Sequence, residues 1–169
     1  MLWLSLTHDI VGASYPAKVD PPTYFLRFVD QQEMHYDEQG CIELGGFGLG
    51  FTVQSRESVE AVASRCSLVY DEMSQSLMRD VFRIDTTDSM TLGSPEIKGC
   101  PEEWYGKPLP ALRGEDMAYF DDCREAGFKV WLYPDMDLGH CGSKVYRGDL
   151  MEVLGLRKLT KGEGHAAID

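Results

Sequence analysis

Residues 114–134, GEDMAYFDDCREAGFKVWLYP, limit the folds open to this chain more than any other stretch. Gly114 precedes a helix spanning about Glu115 to Ala126. Gly127 then stands at the C′ position, where glycine takes up a left-handed backbone without steric cost. Phe128, Val130 and Leu132 alternate with Lys129, Trp131 and Tyr133, the period-two pattern of a strand with one face more buried. Pro134, which has no amide to give to a ladder, ends the strand. A helix that turns this tightly into a half-buried strand lays its apolar side on a sheet. The unit therefore predicts an α/β layered domain.

The rest of the chain supplies further strands and helices in alternation. Asp9 to Ala13 reads as a short buried strand, and the loop SYPAKVDPP follows, its three prolines excluding regular structure. TYFLRFV (23–29) has strand composition, and DQQEMHYDEQG is a polar connection. CIEL runs into the glycine cluster of GGFGLGFTVQ and a further strand. Ser55 is placed to cap a helix through ESVEAVASRC. Region 67–92 is ambiguous, with a helix expected around DEMSQSLMRD. SPEIKGCPEEWYGKPLP reads as loop with Trp104 and Tyr105 exposed, LMEVLGLRKL as a last amphipathic helix. The division expected is one domain over residues 1–156 and a loose tail over 157–169.

Charge and cysteine usage remove whole classes of function. Lys and Arg number 16 against 28 Asp and Glu, a formal charge of −12. Such a surface repels phosphate backbones, so sequence-independent nucleic-acid binding is not expected. A small phosphorylated ligand stays open, because a divalent cation can bridge carboxylates to phosphates. The five cysteines are odd in number and lack a C-x-x-C pair, which fits scattered reduced thiols and a cytoplasmic setting. No stretch approaches the ~20 apolar residues of a membrane span, and the start lacks the basic region of a signal peptide.

The chemical candidates each have a structural alternative. Glu115 and Asp116 lie in the first turn of their helix, where carboxylates offset the macrodipole by about 0.3–1 kcal/mol each. Alternatively, one of them is a general base facing a cleft. His140, between glycines after the strand, is either a turn residue or a metal ligand. The glycines of GGFGLG match neither a dinucleotide fingerprint nor a P-loop. They mark either close approach of a ligand or tight packing. Asp135 and Asp137 form a D-x-D tripeptide that reads as a surface turn after Pro134. Ser55, Ser58 and Ser64 lack the context of a nucleophile elbow. Cys123 and Cys141 lack the spacing of a zinc pair with His140.

Taken in order, DIVGASYP (9–16), ELGGFGLGFTVQSRE (43–57) and GEDMAYFDDCREAGFKVWLYPDMDLGHCGSK (114–144) resemble the GT-A fold glycosyltransferases, in particular bacterial and phage members of glycosyltransferase family 2. The resemblance covers roughly Asp9 to Leu156 and implies an incomplete GT-A-like mixed sheet with flanking helices. It implies transfer of a sugar from a nucleotide-sugar donor to a hydroxyl acceptor. Asp116 would then be the general base with Glu115 beside it, Gly46 and Gly48 would lie near the donor sugar and diphosphate, and His140 would be a late ligand of Mn²⁺ or Mg²⁺. In the family a nucleotide-binding half with its own D-x-D comes before the segment that DIVGASYP resembles, whereas Met1 to His8 stand before it here. The resemblance thus implies the acceptor-side half, completed by a complementary nucleotide-binding chain or put to use as a non-catalytic binding or assembly module. Self-association through an open edge at the strand holding Ile10 and Val11 is a further expectation.

Overall fold

Side chains on successive strand residues point to opposite faces, and that rule distributes the core. The computed structural model describes residues 4–30, 33–87 and 91–156. In chain order its elements are β1 (Ile10–Gly12), β2 (Leu26–Phe28), β3 (Ile42–Phe47), β4 (Thr52–Gln54), α1 (Arg56–Arg65), β5 (Leu68–Asp71) and β6 (Ser76–Arg79). They continue as β7 (Asp85–Thr87), β8 (Ala111–Arg113), α2 (Glu115–Glu125), β9 (Val130–Leu132), β10 (His140–Cys141), β11 (Val145–Tyr146) and α3 (Leu150–Val153). Among the described residues, β2-β3-β9-β1-β4 form one mixed sheet. The expected α/β class is the one that forms.

β9 sits at the centre of the sheet. It runs parallel to β1, with Val11 opposite Trp131, and antiparallel to β3, with Glu43 opposite the same tryptophan. One face buries Ile10, Ile42, Leu44, Val130 and Leu132 with Val62 of α1 and Tyr119, Phe120 and Cys123 of α2. The other face gathers Leu4, Val11 and Cys41, with Val53, Trp131 and Tyr133 packed beside them. Lys129, 5.5 Å from the Trp131 ring centre, donates to Glu43 at 2.8 Å. Burial pushes the Glu43 carboxyl up, and the bonds from Lys129 and Arg124 outweigh it, leaving the group below the usual range.

Local chemistry accounts for the helix ends. The Ser55 hydroxyl accepts from the Ser58 amide at 3.1 Å, the cap expected for α1. Gly127 takes a φ of +95°, and the Phe128 amide returns to the Cys123 carbonyl at 3.0 Å, which closes α2 and aims the chain back along the sheet. The second acidic pair of α2 anchors the segment before the helix. Asp121 accepts from Arg113 at 2.7 Å and also from Arg27, while Asp122 accepts from Arg83 at 2.9 Å.

Three expectations are corrected. The helix around DEMSQSLMRD is instead the β5–β6 hairpin, with Leu68 opposite Arg79 and Asp71 opposite Ser76. Asp71 accepts from the Ser74 amide at 2.9 Å and Gln75 adopts a φ of +52°, so side chain–backbone bonding favours a turn where a helix would need continuous α geometry. β1 is internal, between β9 and β4, with Ile10 and Val11 fully buried; the sheet's edges are β2 and β4. The last helix is a single turn, Leu150–Val153, ended at Gly155 with φ +71°; the expected remainder beyond residue 156, and the 157–169 tail, lie outside the described residues. Among the described residues no helix is long and apolar enough to cross a membrane.

Gly12 is the tightest point of the central sheet. A Cβ there would lie 2.5 Å from the buried Phe47 ring and 2.7 Å from the Phe51 carbonyl oxygen. Gly12→Ala should therefore lower the unfolding free energy by about 1–3 kcal/mol, the usual cost of overpacking. Urea denaturation checks this, and an unchanged midpoint would show that the sheet yields at this position.

Candidate functional site

The first turn of α2 opens onto a cavity. Gly114 gives the helix no side-chain cap, and Glu115 and Asp116 occupy its first turn. Asp116 faces the Leu49 amide, in the 3₁₀ turn Leu49–Phe51. Ser14, Tyr15, Phe25, Gly48, Glu115 and Asp116 border a cavity of about 240 Å³ at this point. Burial, and then the neighbouring charge of Glu115, push the Asp116 carboxyl above its ordinary value, while the Leu49 amide opposes the shift. A carboxylate in this setting is a stronger base than a solvated one.

Tyr15 is the residue that sequence reasoning left out. It follows β1 on the loop opened by Ser14, and its ring fills the space left by two glycines. A Cβ on Gly48 would stand 2.8 Å from the Tyr15 hydroxyl, and one on Gly50 would stand 2.5 Å from its Cε1. Burial raises the Tyr15 phenol, the nearby Asp116 charge adds to the rise, and the Gly50 amide acts against both. The available signal was an aromatic side chain directly after a strand, in a chain whose glycine cluster needed something to make room for.

The expected residues are distributed unevenly about this cavity. Glu115, Asp116 and Gly48 line it. His140 stands behind Tyr15, ring centres 4.8 Å apart and nearly edge-on, and its Nδ1 lies 3.0 Å from the Pro16 carbonyl oxygen. A carbonyl can only accept, so Nδ1 carries a proton. Gly46 is corrected: it is buried beneath α2, where a Cβ would meet Met117 Sδ at 2.9 Å and Phe120 at 3.2 Å. Its lack of a side chain serves helix-on-sheet packing.

Of three larger hollows, the one of about 350 Å³ beside Trp104 is lined mainly by apolar and backbone groups, and the other two are less suited to chemistry. The cleft of about 530 Å³ lined by Arg65, Arg83, Asp122 and Glu125 is spent on internal pairs, Arg83 with Asp122 and Arg65 with Glu125 at 3.6 Å. The groove of about 300 Å³ at Asp135, Asp137 and Asp149 is an acidic surface, where Asp149 caps α3 and Asp137 faces Arg147 at 3.6 Å. Burial also pushes the Cys123 thiol up to about 12. Comparison with protein-family models, curated proteins and solved structures finds no match.

The raised Asp116 carboxyl has a consequence for stability. A carboxyl whose folded pKa lies above its unfolded value, here 3.8, favours the fold while protonated and loses that contribution as pH rises through the folded pKa. Asp116→Asn, which keeps an acceptor facing Leu49, should therefore raise the melting temperature at pH 7 and leave it nearly unchanged at about pH 3. Thermal melts at the two pH values check this; a lower melting temperature at pH 7 would show that the charge stabilises the fold.

Proposed function

We propose that the chain is a glycosyltransferase, or the acceptor-side part of one, moving a sugar from a nucleotide-sugar donor to a hydroxyl acceptor. The observation that carries the reading is the meeting of Asp116, Glu115, Gly48 and Tyr15 at one cavity, with His140 against the far side of the Tyr15 ring. An acceptor hydroxyl seated at Asp116 gives its proton to the carboxylate as the oxygen attacks the anomeric carbon. The glycosidic carbon–oxygen bond to the diphosphate breaks, and its electron pair leaves with the nucleotide. Tyr15 supplies an apolar ring for a sugar face and a phenol that burial keeps protonated.

A divalent cation would supply charge neutralisation for the leaving diphosphate. His140 suits Mn²⁺ better than Mg²⁺, because its Nε2 is an imidazole ligand and Mg²⁺ favours oxygen. One histidine is a single ligand, so diphosphate oxygens and groups from a complementary nucleotide-binding part would complete the shell.

One observation favours a second reading, a binding or assembly module. Leu68, Tyr70 and Leu77 on one face of the β5–β6 hairpin, and Val69 and Met78 on the other, are all exposed, apolar side chains that need no catalysis to explain them.

The test is release of nucleoside diphosphate in the presence of Mn²⁺, a panel of nucleotide-sugars and saccharide acceptors, with and without a nucleotide-binding half supplied in trans. Asp116→Asn should lower kcat by about 10²-fold or more while donor affinity stays nearly constant, because the lost group acts on the acceptor proton. Full turnover by the variant would remove Asp116 from the mechanism. No release under any condition would favour the module.

A further inference from the structure

On the other side of the sheet, three side chains of different chemistry meet. A His8 ring nitrogen, an Asp37 carboxylate oxygen and Cys41 Sγ all lie within 4.8 Å of one another, in the order nitrogen, oxygen and sulfur along the chain. Cys41 is fully buried, and the His8 and Asp37 side chains keep only 5% and 13% of their exposure. We infer that His8, Asp37 and Cys41 form a zinc site, separate from the Asp116 cavity, that fastens the N-terminal turn to the start of β3.

The groups around the three residues point the same way. His8 Nδ1 lies 3.0 Å from the Leu4 carbonyl oxygen and 2.8 Å from the Thr7 hydroxyl, contacts that fix the ring with Nε2 turned to Asp37, and with Nδ1–H donating to Leu4 the Nε2 lone pair is the one a cation would take. A backbone carbonyl behind a histidine in this way is the usual orienting partner of a metal ligand. The second oxygen of Asp37 is held by the Cys41 amide at 2.7 Å and the Gln39 amide at 2.9 Å. That leaves Oδ2 facing His8 and fixes the carboxylate without help from a metal. The His8 ring is further set by Trp131, edge-on at 5.3 Å between ring centres.

The ligand set selects the ion. Imidazole, carboxylate and thiolate together suit a borderline-soft dication and exclude Mg²⁺ and Ca²⁺, which favour oxygen. Zinc bonds of about 2.0–2.3 Å put tetrahedral ligand atoms roughly 3.3–3.8 Å apart, so Cys41 has to draw in by about 1 Å at most while the close His8–Asp37 pair opens by about as much to admit the ion. The cation displaces the His8–Asp37 proton and the Cys41 thiol proton, both released to water. Water takes the fourth position, reached from the partly exposed Asp37 side.

Cobalt reads the site directly. The reduced, chelator-treated protein should take up one equivalent of Co²⁺ with a thiolate-to-cobalt charge-transfer band in the near ultraviolet, and Zn²⁺ should discharge that band. Cys41→Ser should abolish it, whereas Cys100→Ser and Cys141→Ser, changed at less buried thiols, should keep it. Should Cys41→Ser not fold, His8→Gln and Asp37→Asn, checked by circular dichroism, should each weaken Co²⁺ binding at least roughly tenfold. No stoichiometric uptake, a band that survives Cys41→Ser, or undiminished affinity in both of the other variants would overturn the assignment.

Discussion

The pairing of β9 with β1 on one side and β3 on the other is the constraint on which the rest of the structure depends. It joins residues 11–12 and 42–44 to residues 130–132, distant parts of the chain, and only one register places Val130 and Leu132 on the side that α2 covers. A slip of one residue would turn those side chains to the opposite face and bring Trp131 under the helix. Gly127 makes the register attainable, since its left-handed backbone turns the chain from α2 into β9 within a few residues.

The candidate site follows from that geometry. α2 rests on β3 because Gly46 leaves room for Met117 and Phe120. Seating the helix there brings its first turn over the 3₁₀ turn after β3, where the Leu49 amide faces Asp116. β1, next to β9, delivers Tyr15 to the same place from the other direction, and Gly48 and Gly50 accommodate its ring. Tyr15 thereby separates the Asp116 cavity from His140 while touching both. Burial of Asp116 is thus a product of the packing that forms the core.

Legibility in the sequence varied with how local the deciding interactions were. α1, α2 and β9 could be read because a serine cap, a C′ glycine and an alternating run act within a few residues. The β5–β6 hairpin was harder, because DEMSQSLMRD contains good helix formers and the turn depends on Asp71 bonding to the Ser74 amide. Position in the sheet was harder still. That β1 is internal depends on partners some 40 and 120 residues away, which periodicity does not report. Glu115, Asp116 and Gly48 could be picked out as candidates, but Gly46 as a packing residue and Tyr15 as a cavity wall required the folded neighbours.

The central claim is that a sugar hydroxyl binds beside Asp116, and amide chemical-shift mapping tests it most directly. Saccharide acceptors titrated into the isotopically labelled protein, with nucleoside diphosphate and diamagnetic Mg²⁺ present, should shift Tyr15, Gly48, Leu49 and Asp116 together and saturably. Shifts confined to the acidic groove at Asp135, Asp137 and Asp149, or none at the cavity residues with any acceptor, would contradict it.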